Sequence, residues 1–267
     1  MSAGTPARIG LVGMGGIGSY VYEQITTQPQ LGLEIAFVSD ISAERLKDLP
    51  PELVLDDPGQ ARERRPDLIV EMAHPDVTRQ WGRAFLEYCD YMPLSLTALA
   101  DAQLHEAMLN TAGTAGTCLY IPHGAAVGID SIFECRDAWD EVVVTMKKNP
   151  RNMDLSAVMQ RGHKAITAPT VLFEGPTREI CPLFPRNVNS HAAVALAGIG
   201  FDRTRSRLIA DPSLDVSIIE IVARGPAAEL KIERSNPLKG VSGIYTYRAI
   251  WSCICRAKAR GVRTQIC

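Results

Sequence analysis

The sequence predicts an α/β fold in which a domain with a parallel β-sheet precedes a smaller α+β domain. Through residues 9–121, short apolar runs alternate with helical patterns, and this βαβ rhythm is typical of a parallel sheet. After a glycine-rich link at 122–128, most apolar runs follow one another as strands, which indicates a largely antiparallel second sheet.

The elements of the first domain follow from this alternation. We predict strands at 9–12, 33–39, 68–72, 91–96 and 117–121. We predict helices at 19–27, 75–88 and 101–111, and a short helix that begins at Ala43. The first domain is therefore expected to cover residues 1–122.

The second domain, expected at 123–241, takes the remaining strands. These are predicted at 141–146, 171–174, 206–210, 216–223 and 228–232. Helices are predicted at 190–198 and 242–257, and the C-terminal helical region 242–267 is expected to return to the first domain.

A glycine fingerprint lies between the first predicted strand and helix. Gly13 permits a tight turn, Gly15 lets the backbone approach a pyrophosphate, and Gly18 allows the helix to pack closely on the strand. The amides at the helix start then face the phosphates. This arrangement is typical of a Rossmann dinucleotide-binding domain, and its loop supplies the expected cofactor contacts Gly13, Met14, Gly15, Gly16, Ile17 and Gly18.

Asp40 ends the second predicted strand and bears on the choice of cofactor. A carboxylate there can accept hydrogen bonds from ribose hydroxyls and would repel a 2′-phosphate, so NAD is favoured over NADP. Ser42 and Arg45 follow closely, and an arginine at this place can accommodate the extra phosphate. Arg45 is otherwise interpreted as a solvated helix residue, and NADP stays possible.

The composition favours a small-molecule partner in the cytoplasm. Hydrophobic residues make up 46% of the 267, enough for a full core, and the formal net charge of −2 offers no basic face for nucleic acid. The apolar runs are too short to span a membrane, and the N-terminus leads directly into a strand rather than a signal peptide. The seven cysteines lack paired metal-ligand spacing, so no metal site is expected.

Several blocks of sequence resemble the L-aspartate dehydrogenase family. The resemblance covers nearly the whole chain and rests on segments 13–18, 70–75, 123–130, 173–175, 183–189 and 210–212. It implies a Rossmann domain, a C-terminal α+β domain that binds substrate and forms a homodimer, and interconversion of aspartate with iminosuccinate, or oxaloacetate plus ammonia, using NAD or NADP. It also implies further cofactor contacts at Ala73, His74, Ser95, Thr97 and Gly124.

One position departs from the family. Microbial enzymes of this family carry an essential histidine a few residues after the block at 210–212, and Ile219 occupies that place here. An isoleucine cannot exchange a proton. Either another group has taken over, or the substrate has changed.

His123 is the candidate replacement. An imidazole with a pKa near neutrality can relay a proton during amine–imine interconversion, and Asp215 can orient a neighbouring donor. His123 is equally interpreted as a hinge residue that bonds a backbone carbonyl. His191, one turn into a helix, is interpreted as a packing residue.

Substrate contacts are expected at Asn187, Asn189 and Arg186. The resemblance favours Asn187 for substrate, whereas Asn189 is also suited to capping the following helix. Arg186 can pair with a substrate carboxylate or form a surface ion pair.

Three functions remain open at this point. The first is aspartate dehydrogenation, the second is dehydrogenation or imine reduction of another amino acid or amine, and the third is a non-catalytic NAD(H) sensor or interaction protein.

Overall fold

The computed structural model describes residues 5–156, 166–237 and 243–259, and the chain divides into two compact units. The first unit comprises Met1–Ser95, Ala102–Pro122 and Ile250–Cys267, and the second comprises Leu96–Asp101 and His123–Ala249. This division differs from the expected boundaries in two places. Residues 96–101 group with the second unit, and the division at the C-terminus falls after residue 249, whereas the expected boundary at 241/242 lies outside the described residues.

The first unit contains a four-stranded parallel sheet in the order β2-β1-β3-β4. Its strands are β1 (Ala7–Val12), β2 (Leu33–Ser39), β3 (Leu68–Glu71) and β4 (Asp90–Pro93). Its helices are α1 (Gly16–Thr27), α2 (Pro75–Leu86) and α3 (Ala102–Ala115). The Rossmann-type α/β prediction is confirmed, and the carboxyl ends of all four strands lie at one edge of the sheet.

Several predicted elements of this unit are shorter than expected; the strand predicted at 91–96, for example, is β4 (Asp90–Pro93). The strand predicted at 117–121 is wrong as a full strand, because only a single parallel bridge joins Leu119 to Tyr91. Gly116 begins this segment with a φ of 71°, and Pro122 ends it without an amide donor, so few residues are available for pairing. The helix predicted from residue 43 is one 3₁₀ turn, Ala43–Arg45.

The core of the first unit joins the sheet to two helices. Ile9 and Leu11 of β1 are fully buried, as is Val21 on the inner face of α1. Ile250 and Ile254, four residues apart on the C-terminal helix α7 (Ile244–Lys258), pack into the same cluster. Each such side chain contributes about 2 kcal/mol of burial free energy, which fixes the sheet edge that carries the glycine loop.

The second unit contains a five-stranded sheet in the order β6-β7-β5-β8-β9. Its strands are β5 (Glu141–Lys148), β6 (Thr170–Pro176), β7 (Arg205–Ala210), β8 (Val216–Arg224) and β9 (Glu229–Pro237). Three neighbouring pairs are antiparallel and β5–β7 is parallel, so the prediction of a largely antiparallel sheet is confirmed. Helices α4 (Ile129–Glu134), α5 (Thr177–Ile180) and α6 (Asn189–Ala197) accompany it.

Within the described ranges, no helix has both the length and the apolar character that a membrane span needs.

Candidate functional site

Gly13 forms the turn that follows β1. Its φ of 103° lies in the region that favours glycine, and a Cβ added there would lie 2.8 Å from the carbonyl carbon of Met72. Its amide donates to the carbonyl of Ser39 at the end of β2 (2.7 Å). The turn is therefore held between the ends of β2 and β3, and only glycine fits it.

The start of α1 presents free space and backbone amides. A Cβ on Gly18 would lie 1.9 Å from the carbonyl oxygen of Gly13, which shows how closely the helix packs on the turn. Around Gly15, by contrast, no heavy atom of the described structure lies within 4 Å of an added Cβ. Gly15 caps α1, and no side chain among the described residues bonds to this helix start, so its amides and dipole suit an anionic pyrophosphate.

Asp40 follows β2, and its carboxylate links the glycine loop to the next turn. The Met14 amide donates to Oδ2 (2.6 Å) and the Ser42 amide donates to Oδ1 (2.8 Å). Burial raises the pKa of Asp40, but these two bonds and the Arg45 guanidinium outweigh it and leave the pKa below its usual value. Asp40 is therefore a carboxylate at neutral pH. Its side chain is 3% exposed; Oδ2 accepts from both Met14 and Arg45, and Oδ1 keeps one lone pair for a ribose hydroxyl.

Arg45 and Ile41 flank Asp40. Arg45 donates a hydrogen bond to Oδ2 of Asp40 (3.2 Å), and about half of its side chain is exposed to solvent. Arg45 is therefore partly solvated and partly paired with the acid. Ile41 is fully exposed, so a large apolar side chain lies on the surface directly after the acid. Sequence reasoning did not single out Ile41, although the sequence alone shows an apolar residue directly after Asp40.

Glu71, at the end of β3, is a second residue that sequence reasoning missed as a site residue. It is completely buried and accepts four hydrogen bonds. Oε1 accepts from the Ala73 amide (2.7 Å) and the Ser95 hydroxyl (2.9 Å), and Oε2 accepts from the Ser95 amide (3.1 Å) and the Thr78 hydroxyl (3.3 Å). Burial raises the pKa of Glu71, and these four bonds partly offset that effect. Two expected cofactor residues, Ala73 and Ser95, are thus held by one carboxyl group.

His74 caps the start of α2. Its Nδ1 accepts from the Asp76 amide (3.3 Å) and lies 3.1 Å from Asp76 Oδ2, and nearly half of its side chain is exposed. The capping bond orients the loop between β3 and α2 and leaves the rest of the ring accessible.

In the second unit, Thr97 and Asn189 are brought together. The Thr97 amide donates to Oδ1 of Asn189 (3.2 Å), and its hydroxyl donates to the carbonyl of Pro185 (2.9 Å). These bonds explain why the 96–101 segment groups with the second unit. Asn189, the first residue of α6, therefore fixes a neighbouring backbone segment through its side chain.

Asn187 and Arg186 contact Asp154. The Asp154 amide donates to Oδ1 of Asn187 (3.0 Å), and the Asn187 amide group donates to the Asp154 carbonyl (2.6 Å). Arg186, more than half exposed, lies 3.6 Å from the Asp154 carboxylate. Asn187 thus anchors a loop with both ends of its amide, while Arg186 has the exposure to reach a ligand.

The remaining predicted residues of the second unit are spread over separate segments. His123 and Gly124 lie in the half-buried link, where the His123 carbonyl accepts from the Ala126 amide (2.8 Å). Asp215 is exposed on the turn before β8. Ile219 is buried within β8, paired with Met146 of β5 on one side.

His191 is buried in α6. Its Nδ1 lies 2.9 Å from the Ser206 hydroxyl, and burial lowers the pKa of His191 to about 3. The ring is therefore neutral at physiological pH, as a packing residue requires.

No group of three or more His, Cys, Asp or Glu residues suited to a metal ion occurs in the described part of the chain.

A parallel sheet, a glycine turn, an open helix start and an acid at the next strand end together define a dinucleotide-binding oxidoreductase domain. Two family models match the chain. Residues 13–122 match the NAD-binding domain of homoserine dehydrogenase, and residues 133–256 match the C-terminal domain of aspartate dehydrogenase. The chain belongs to the aspartate dehydrogenase family, and its cofactor is NAD or NADP.

Relatives match along most of their length. An aspartate dehydrogenase domain-containing protein of Xenopus tropicalis is 36% identical, with 100% of both chains covered. An L-aspartate dehydrogenase of Methanosarcina acetivorans is 36% identical over 86% of this chain and 88% of its own. The crystal structure of a Thermotoga maritima aspartate dehydrogenase shares the fold, with a TM-score of 0.73, 23% identity and 98% of each chain covered.

Proposed function

We propose that this protein oxidises L-aspartate at its amine carbon to iminosuccinate, which water converts to oxaloacetate and ammonia. The observation that carries the proposal is the 36% identity to the Methanosarcina L-aspartate dehydrogenase across both family domains. Bound NAD(P) supplies the hydride acceptor for this oxidation. The residues of the chain bind both molecules, orient them and exchange protons.

The first unit is suited to holding the dinucleotide. In the proposal, the amides around Gly15 and Gly16 receive the pyrophosphate, and Asp40 binds the ribose hydroxyls. Ile41 packs against the adenine ring, and Ala73 and Ser95, fixed by Glu71, contact the rest of the cofactor. With Asp40 in this role the preferred cofactor is NAD, and Arg45 sets how far NADP is tolerated.

The second unit supplies the substrate residues of the proposal. His123 exchanges the proton of the substrate nitrogen, directly or through a water molecule, and Asp215 orients a neighbouring donor. Asn187, Asn189 and Arg186 position the substrate, Asn187 by holding the loop at Asp154. The proposal also includes a homodimer formed through this unit, with the enzyme located in the cytoplasm.

A second candidate substrate class is favoured by Ile219. Its side chain is 2% exposed and apolar, so it cannot serve as the proton-exchanging group that the family resemblance places there. In this second proposal the protein uses NAD(P) to oxidise a different amino acid or amine, or reduces the corresponding imine in the reverse direction.

The test is NADH formation by the purified protein with NAD and L-aspartate at alkaline pH, beside a panel of other amino acids and amines. Saturable, aspartate-dependent turnover is the expected result. Turnover with another amine and none with aspartate selects the second candidate. NADH binding without any turnover contradicts the proposed activity and leaves an NAD(H)-binding protein. Light scattering of the same sample tests the homodimer.

Loss of turnover in a His123→Ala variant, with NADH affinity unchanged, is the expected result for its proposed role. Unaltered turnover removes His123 from the scheme.

A further inference from the structure

Two basic side chains lie on one face of the sheet in the second unit. Arg234 of β9 is paired in register with Ile219 of β8, and Ile219 is paired with Met146 of β5. Lys148 is two residues beyond Met146 on β5, so it projects from the same face. The two cations therefore approach each other across β8.

Arg234 is half-buried, and two of its donor atoms lack hydrogen-bond partners in the described part of the chain. Its Nε and Nη1 atoms are buried and have no hydrogen-bond partner among the described residues. The guanidinium carbon of Arg234 lies 5.1 Å from the centre of the Tyr245 ring. The face of this ring stabilises the positive charge, but it does not accept hydrogen bonds from N–H groups that lie in the plane of the guanidinium. An arginine with unused buried donors is costly to the folded protein unless an anion binds there.

Lys148 adds a second positive charge to the same place. It is only 5% exposed, and burial together with the nearby charge of Arg234 lowers the pKa of Lys148 to about 8. Placing two like charges side by side in a poorly hydrated position is unfavourable, and a bound carboxylate would reverse the sign of that interaction.

The adjacent strands do not supply a carboxylate to Arg234. Glu220 of β8 and Glu233 of β9 are paired with each other and alternate to the opposite face, where Glu220 lies 3.8 Å from Lys231. The segments outside the described residues, 1–4, 157–165, 238–242 and 260–267, contain no aspartate or glutamate.

We infer that Arg234 and Lys148 together bind a carboxylate of the amino-acid substrate. The inference rests on the proposed function and assigns it a specificity site. A planar guanidinium and an ammonium converging on one carboxylate favour substrates that carry a carboxylate and reject amines that carry none. The pair thus restricts the substrate to an amino acid and disfavours a simple amine.

The experiment measures carboxylate binding separately from turnover. The NADH complex of the full chain is titrated calorimetrically with succinate, which carries two carboxylates and no amine, and with the uncharged succinamide. The variants are Arg234→Met, Arg234→Lys and Lys148→Met. The matched control is Arg207→Met on β7, which removes an equal charge from a partly exposed arginine paired with Glu174.

Succinate is expected to bind and succinamide is not. Arg234→Met and Lys148→Met are expected to weaken succinate binding and raise the KM for the amino-acid substrate by about ten- to a hundred-fold, with NADH affinity unchanged. Arg234→Lys should restore part of the affinity. The thermal midpoint should not fall in Arg234→Met, because this variant removes two buried donor atoms that have no partner among the described residues, whereas loss of a merely structural arginine would lower stability.

Several outcomes separate this inference from the proposed function. Succinate binding that depends on Arg234, without aspartate turnover, keeps the carboxylate site and overturns the proposed substrate. Aspartate turnover with an unchanged KM in Arg234→Met overturns the site and keeps the function. Failure of the unsubstituted protein to bind succinate also overturns the site. If Arg234→Met does not fold, Lys148→Met and Arg234→Lys decide by the same criteria.

Discussion

The buried acids of the first unit and the buried bases of the second unit differ in how they are hydrogen-bonded. Glu71 and Asp40 accept bonds from backbone amides at the ends of β3 and β2. Arg234 keeps two buried donor atoms without partners among the described residues. The difference teaches that the acids are engaged in shaping loops, whereas Arg234 keeps donor atoms that a ligand can use.

The largest effect is expected from Glu71→Gln. Whichever way the new amide is oriented, its N–H₂ faces either the Ala73 amide or the Ser95 amide, so one buried donor loses its acceptor. We expect a loss of about 3 kcal/mol in the free energy of unfolding and weaker NADH binding. Chemical denaturation and NADH fluorescence measure both, with Glu87→Gln on the exposed end of α2 as control. Equal stability of the two variants would show that the network does not hold the loops.

Gly13→Ala tests the turn that Asp40 and Ser39 support. The φ of 103° and the 2.8 Å approach to Met72 leave no room for a methyl group, so we expect a loss of about 2–3 kcal/mol and little NADH binding. Gly113→Ala in α3 is the control, since an added Cβ meets no described atom within 4 Å and should change stability by about 1 kcal/mol or less, in the favourable direction. Normal NADH affinity in Gly13→Ala would contradict the assigned turn.

His191 extends the comparison to a neutral buried group. Its pKa is lowered from 6.5 to about 3, so the unfolded chain binds more protons between these values. Its contribution to stability is therefore complete above pH 6.5 and is lost as the pH falls, by about 2 kcal/mol near pH 5. Denaturation midpoints at neutral and acidic pH should differ less for His191→Asn, which can keep a bond to Ser206. An equally acid-sensitive variant would place that sensitivity in other groups.

The smallest effect is expected from Arg45→Ala. About half of the side chain is exposed, and its ion pair with Asp40 should contribute less than about 1 kcal/mol to stability. The variant is expected to weaken NADPH binding while leaving NADH binding nearly unchanged, because only the 2′-phosphate needs the guanidinium. Fluorescence titration with both cofactors measures this, and an equal loss for both would assign Arg45 to general support of the loop.

Much of the first unit could be predicted from local sequence. The bounds of β2 agree with the expected 33–39, and α1 and β3 differ from their predicted bounds by at most a few residues. The strand expected at 117–121 failed because an apolar run predicts burial but not a pairing partner. The structure joined Thr97, expected at the cofactor, to Asn189, expected at the substrate, through one hydrogen bond.

The sequence by itself determined the glycine turn, the acid that follows β2 and the two-part α/β organisation, because each depends on residues close together in the chain and on periodicity. Only the tertiary structure decided that one carboxyl group at Glu71 holds both Ala73 and Ser95, and that Arg234 and Lys148 lie on the same face of one sheet. The physical reason is that strand register and the alternation of side chains between two faces place together residues that are far apart in sequence. Whether a buried charge has a partner is therefore a property of the folded sheet.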